Sequence, residues 1–180
     1  RAVVAALPPG ATLFLGSSNP VRDLEIGVPS VPDGVTVLAG RGLAGIDGCL
    51  ATAAGVAYAA GAGYALLGDL TFLHDANALL IGPLEQRPNL TVVVVNDDGG
   101  GIFGLLEPGA PERSAPFERL FGTPTGTDLA ALCAAHGVGH ERAVSAAQLA
   151  AAVAAAPSGI RVVEAHLHSS VPGRELAIAH

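Results

Sequence analysis

Basic side chains are scarce in this chain of 180 residues: 9 Lys and Arg stand against 16 Asp and Glu, for a net charge of −7. No cluster of them is dense enough to grip a phosphate backbone, so nucleic acid is not an expected partner. Cysteine is nearly absent. Cys49 and Cys133 are too few for a disulfide scaffold and lack metal-ligand spacing, which fits a reducing, cytoplasmic compartment. Charged residues make up only 14% and hydrophobic ones 50%. Such a chain can offset its ordering entropy by burial, so it is not disordered, and its length suits one domain. The opening stretch RAVVAALPPGATLFLG lacks the apolar core and cleavage pattern of a secretory signal, and nothing else indicates export. The longest uncharged run, GCLATAAGVAYAAGAGYALLG at 48–68, reaches the roughly 17–25 residues that span a bilayer. Glycines interrupt it, however, and Gly61-Ala62-Gly63 reads as a break. A buried helix followed by a buried strand is expected, with no membrane integration.

What is present alternates between strand and helix. Short apolar runs at 11–16 (ATLFLG), 35–38 (VTVL), 64–68 (YALLG), 90–96 (LTVVVVN) and 160–167 (IRVVEAHL) read as strands. The fourth is apolar on both faces, as a central parallel strand covered on both sides would be. Helices are expected at 47–60, where Asp47 caps or favours the first turn, and at 72–81, ending at Gly82-Pro83. Two more are expected at 128–136, with Asp128 as cap and Gly137 as stop, and at 145–156, with Ser145 as cap. This alternation predicts an α/β fold, a mostly parallel sheet with helices on both faces. Residues 104–127 carry four prolines and no long periodic run. A connection that long is usually functional, and it follows the best strand, so it reads as an active-site or interface loop, with a plain surface loop as the alternative.

Two acidic, glycine-rich segments sit at strand ends: LLGDLTFLHDAN at 66–77 and VVNDDGGGIF at 94–103. If the strands are neighbours, Asp69 and Asp97 project into one crevice. Mg²⁺ prefers oxygen ligands in octahedral geometry and joins a few carboxylates to phosphate oxygens. Asp69 and Asp97 would supply two corners and the Gly99 carbonyl a third. Gly68 and the amides opening the 72–81 helix would donate to a diphosphate. The alternative is that each aspartate caps a helix or turn. Arg22, in SSNPVRD, and Arg41, in AGRGLAGIDG, sit in loops after the first two strands. Arginine forks bind carboxylates, which suggests an anionic substrate; surface positions or ion pairs to Asp23 or Asp47 are the alternative. His74 reads mainly as structural, the remaining histidines have no zinc spacing, and Cys49 reads as a small buried hydrophobe. P-loop, dinucleotide and G-x-S-x-G signatures are absent.

GDLTFLHDAN followed by VVVVNDDGGGIF resembles the diphosphate and magnesium motif of thiamine-diphosphate enzymes: Gly-Asp, a spacer, then a short Asn/Asp-rich turn. SSNPVRD, RGLAGIDG, GDLTFLHD, NDDGGGIF and FGTP, in this order, are similar to the C-terminal diphosphate-binding domain of the MenD family of menaquinone biosynthesis, over about residues 17–167. The resemblance implies thiamine diphosphate with Mg²⁺, or Mn²⁺, as cofactors, and Asp69, Asp97 and the Gly99 carbonyl as metal ligands. It places Gly68, Leu70, Gly101 and Ile102 around the cofactor, with Ile46 supporting the cofactor's bent shape. Leu70 departs from the glycine of the wider family but resembles this branch. Ser18, Arg22, Arg41 and Phe103 fall on the substrate side, and Arg22, Arg41, Ile46 and Phe103 are the positions expected to serve catalysis. The implied reaction decarboxylates 2-oxoglutarate and adds the resulting carbanion to isochorismate. In this family a glutamate that activates the cofactor comes from the N-terminal domain of a partner subunit. That domain and the middle domain have no counterpart in these 180 residues. The chain, which begins at Arg1, is therefore expected to be the C-terminal part of a longer homodimeric or homotetrameric enzyme and to be inactive alone. Two alternatives remain: another thiamine-diphosphate decarboxylase or carboligase, sharing Asp69, Asp97 and Gly99 without needing the arginines, or a non-catalytic cofactor-binding domain.

Overall fold

The computed structural model of the chain describes residues 1–40 and 45–166, with backbone alone at 113–115. Six strands are β1 Thr12–Leu15, β2 Thr36–Ala39, β3 Gly63–Gly68, β4 Leu90–Asn96, β5 Gly139–Ala143 and β6 Ile160–His166. They form one sheet in the order β2-β1-β3-β4-β6-β5, and every pairing is parallel. The helices are α1 Ala2–Ala5, α2 Asn19–Gly27, α3 Cys49–Ala60, α4 Asp69–His74, α5 Ser114–Phe117, α6 Leu129–Ala135 and α7 Ala146–Ala154. The α/β architecture expected from the sequence is the one observed.

β4 is apolar from Val92 to Val95, and both of its faces are covered. On one face Phe14, Ala65, Leu67, Val92, Val94 and Val162 pack under α3, α4 and α6 through Leu50, Ala53, Ala57, Phe72 and Cys133. On the other, Leu13, Leu15, Tyr64, Val93 and Val163 meet Val3 and Val4 of α1, Val21 and Leu24 of α2, and Leu149 and Val153 of α7. Each such Val, Leu or Phe contributes about 1.5–3 kcal/mol on burial. The uncharged run at 48–68 resolves into α3 and β3. Among the described residues no helix is long and apolar enough to cross a membrane.

Several boundaries differ from expectation. Asp47 does not cap α3. Gly48 is the N-cap, in a left-handed conformation at φ 69°, and the acid comes from elsewhere in the chain: the Asp75 carboxylate accepts the Ala51 N–H at 2.7 Å. In place of a helix at 72–81, α4 starts at Asp69 with no intervening loop and gives way to a 3₁₀ turn, Ala76–Leu79. SSNPVRD is not a loop but opens α2, with Pro20 in the first turn, where its missing N–H costs nothing. β5 was unexpected. The 104–127 stretch holds short helical turns, ending in a π-helical turn, Glu118–Gly122. Asp128 and Ser145 cap α6 and α7 as expected, accepting from Ala131 N at 3.0 Å and Gln148 N at 3.2 Å. Leu167, assigned to the last strand, lies outside the described residues, as do His168 and His180.

Candidate active site at the carboxyl edge of the sheet

Because every strand is parallel, all carboxyl ends open on one edge. The chain runs outward from β1 to β2, then returns to place β3 on β1's other side. Crevices at such a reversal are where open α/β sheets bind ligands. β3 and β4 pair with Gly68 opposite Val95, so Asp69 and the Asn96-Asp97-Asp98 turn leave the sheet side by side. The two segments singled out in the sequence are brought together.

Asp69 is buried, 3% exposed. Its Oδ2 accepts the Gly99 N–H at 2.8 Å, and its carboxyl shares a hydrogen bond with the Asp97 side chain. Burial, reinforced by the neighbouring charge of Asp97, pushes its pKa up to about 7, against the opposing pull of the Gly99 and Leu70 N–H groups. Among the described residues, no cationic side chain is among the groups that act on it. Two carboxylates this close ionise together only with help, which a divalent cation would supply. The donor set is all oxygen, which suits Mg²⁺ or Mn²⁺. The Gly99 carbonyl accepts the Gly101 N–H at 3.1 Å, and a carbonyl oxygen has a second lone pair to offer. Among the described residues no group of three or more His, Cys, Asp or Glu is placed to hold a metal; the expected set has two carboxylates and a carbonyl. The residues present therefore fit a divalent ion that bridges to an anionic ligand.

The turn is held by hydrogen bonds to the 122–126 segment. Asp98 sits at φ 51°, and its Oδ1 accepts the N–H groups of Thr125 and Gly126 at 2.9 and 3.0 Å. Gly99 sits at φ 130°, and the Gly122 carbonyl oxygen lies where its Cβ would be. The Gly122 oxygen also accepts the Gly100 N–H at 2.7 Å. Glycine is needed here because backbone packs on backbone. Gly101 is buried and Ile102 half-buried in the turn that follows. Phe103, 38% exposed, tilts against Phe121, which stacks on Phe117.

On the β1 side, Ser18 holds an uncommon φ of 82° at the start of α2. The exposed Arg22 folds back so that its Nη1 donates to the Ser18 carbonyl at 2.9 Å. Ile46 is half-buried just before α3, and Gly68 and Leu70 are half-buried around Asp69. Arg41 lies outside the described residues. Six residues of α4 start at Asp69, so the amides expected to open a helix at 72 belong instead to the first turn after Gly68. His74 is exposed at the end of α4, and Cys49 is buried.

Some residues at this edge escaped the sequence reading. Burial raises the pKa of Asp23 of α2, and the charge of Asp97 adds to the rise. Asn96 and Glu164 form a buried hydrogen bond behind the turn. A carboxylate directly after the apolar pair Val162-Val163 in the last strand was the available signal for Glu164.

The fold and the paired aspartates define a class. The chain belongs to the thiamine pyrophosphate enzyme family: the family's C-terminal TPP binding domain matches residues 31–165. Within that class, two curated relatives share one name. It is 58% identical over 165 residues to the 2-succinyl-5-enolpyruvyl-6-hydroxy-3-cyclohexene-1-carboxylate synthase of Saccharopolyspora erythraea, covering 91% of this chain and 29% of that protein. It is 56% identical over 165 residues to the synthase of the same name from Kineococcus radiotolerans, with the same 91% and 29% coverage. The chain thus spans under a third of the length of these curated relatives. The crystal structure of benzoylformate decarboxylase from Polynucleobacter necessarius superposes with a TM-score of 0.72 at 19% identity, covering 97% of this chain and 32% of that one. At that identity it speaks for the fold alone.

Proposed function

We propose that this chain is the diphosphate- and metal-binding domain of a MenD-type synthase, which decarboxylates 2-oxoglutarate and joins the remaining four-carbon unit to isochorismate. The pairing of Asp69 with Asp97 at neighbouring strand ends carries this reading. Both would ligate Mg²⁺ or Mn²⁺, with the Gly99 carbonyl as a third donor, and the ion would anchor the cofactor's diphosphate. Thiamine diphosphate supplies, when bound, the carbanion chemistry that decarboxylation and carbon–carbon bond formation require.

The chain's own residues would bind, orient and shield. Gly68, Leu70, Gly101 and Ile102 would line the diphosphate end, and Ile46, half-buried ahead of α3, would support the cofactor. Ser18, Arg22 and Arg41 would hold substrate carboxylates, and Phe103 would provide an apolar wall. Residues 104–127 would form an active-site or interface loop: Leu105 and Leu106 are 76% and 53% exposed in it, and Leu120 61%. The length of these relatives supports further domains, proposed here as pyrimidine-binding and middle domains; assembly as a homodimer or homotetramer, with an activating glutamate from a partner subunit, is proposed from the family resemblance. The cytoplasm is the proposed location.

The test supplies the complete enzyme with Mg²⁺, thiamine diphosphate and isochorismate, and compares 2-oxoglutarate with pyruvate. Consumption of 2-oxoglutarate with formation of the joined product is expected. Preference for pyruvate would point to another carboligase of this family, and cofactor binding without turnover to a non-catalytic domain. Arg22→Ala is expected to raise KM for 2-oxoglutarate about tenfold, the effect of losing one charge-assisted contact of about 1.4 kcal/mol, with cofactor affinity unchanged. A wild-type KM would remove Arg22 from the substrate side.

A further inference from the structure

Glu164 is 7% exposed on β6, between β4 and the edge strand β5, on the face where its β6 neighbour Val162 and its β4 partner Val94 are wholly buried. An ionisable group there costs desolvation unless its hydrogen bonds are complete. Both of its oxygens are engaged. Oε1 accepts from Asn96 Nδ2 at 2.7 Å, and Oε2 meets His140 Nε2, from edge strand β5, at 2.9 Å. Asn96, itself 8% exposed, uses its other end: Oδ1 accepts the Asp98 N–H at 3.0 Å. A carboxylate oxygen accepts and a backbone N–H donates, so the amide has one orientation that satisfies both. Glu164 thereby locks the Asn96 side chain, and Asn96 locks the backbone one residue beyond Asp97, where Asp98 is held at φ 51°. An apolar residue at 164 would fill the space at no desolvation cost and leave the amide unanchored.

We infer that Glu164, buttressed by His140 and acting through Asn96, is a positioning residue that sets the orientation of the Asp97–Gly99 turn and hence the affinity of the site for its divalent ion. This rests on the proposed metal role of Asp69, Asp97 and Gly99. Partners of ligating groups in other metal sites change affinity about ten- to a hundredfold when removed.

The experiment titrates the complete enzyme, at saturating thiamine diphosphate, with MgCl₂ by calorimetry, and separately records the melting midpoint of the metal-free protein. Wild type must first bind Mg²⁺; if it does not, the underlying functional reading fails, whatever Glu164 does. Given that, Glu164→Leu is expected to raise the Mg²⁺ dissociation constant about ten- to a hundredfold. Glu164→Gln, which keeps an acceptor for the Asn96 amide, should restore it to within about threefold of wild type. A folded Glu164→Leu protein that binds Mg²⁺ within threefold of wild type overturns the inference, even if its melting midpoint has dropped. Should Glu164→Leu not fold, Asn96→Ala removes the same link with a smaller cavity, and the same two results decide.

Discussion

Asp69 carries a conflict that its surroundings leave open. Burial and the Asp97 charge raise its pKa from 3.8 to about 7. From roughly pH 4 to 7 the unfolded chain therefore holds fewer protons at this residue than the folded one, so Asp69's contribution to stability falls as pH rises through that window. Asp69→Asn keeps the shape and removes the charge. In chelator-treated protein it should flatten this slope and raise stability at pH 8 by about 1–3 kcal/mol, while abolishing Mg²⁺-dependent cofactor binding. Urea denaturation across pH 4–8 checks it; parallel wild-type and variant curves would count against a strained carboxylate pair. Gly99 presents a different constraint. Its φ of 130° and the Gly122 oxygen in the place of a Cβ predict that Gly99→Ala costs about 1–3 kcal/mol in backbone strain alone, read as a lower urea midpoint. A neutral result would mean that the 118–122 turn yields easily.

Elements were legible where one rule dominates. β4 was read to its last residue because a strand buried on both faces leaves an unbroken β-branched run, and α6 and α7 were bounded by side-chain caps that do form. β5, GHERA, was missed because as an edge strand it buries only Ala143 and shows no apolar alternation. α2 was missed because its start, Ser-Asn-Pro, carries the same residues as a turn. The cap of α3 lay beyond local reading altogether, since Asp75 is 24 residues from Ala51. That cap is testable: Asp75→Ala should lower stability by about 1 kcal/mol, the usual value of an N-terminal cap, measured by denaturant unfolding. An unchanged midpoint would show that solvent serves the α3 amides equally well.

For the whole molecule, strand order turns separate motifs into one site. The sequence marked Asp69 and Asp97 as candidates, but only the β3–β4 register makes them neighbours. The buried chain His140–Glu164–Asn96 behind them joins β5, β6 and β4 and has no signature at short range. Ser18 and Arg22 were separate candidates in the sequence, and the hydrogen bond from the Arg22 guanidinium to the Ser18 carbonyl had no signal there. The measurement closest to the centre of this account is the affinity of the complete enzyme for thiamine diphosphate in the presence of Mg²⁺, with and without Asp69→Ala and Asp97→Ala together. The expected loss is more than about a hundredfold, larger than removal of an outer partner produces. Affinity unchanged in the folded double variant would contradict the assignment of this edge as the diphosphate and metal site.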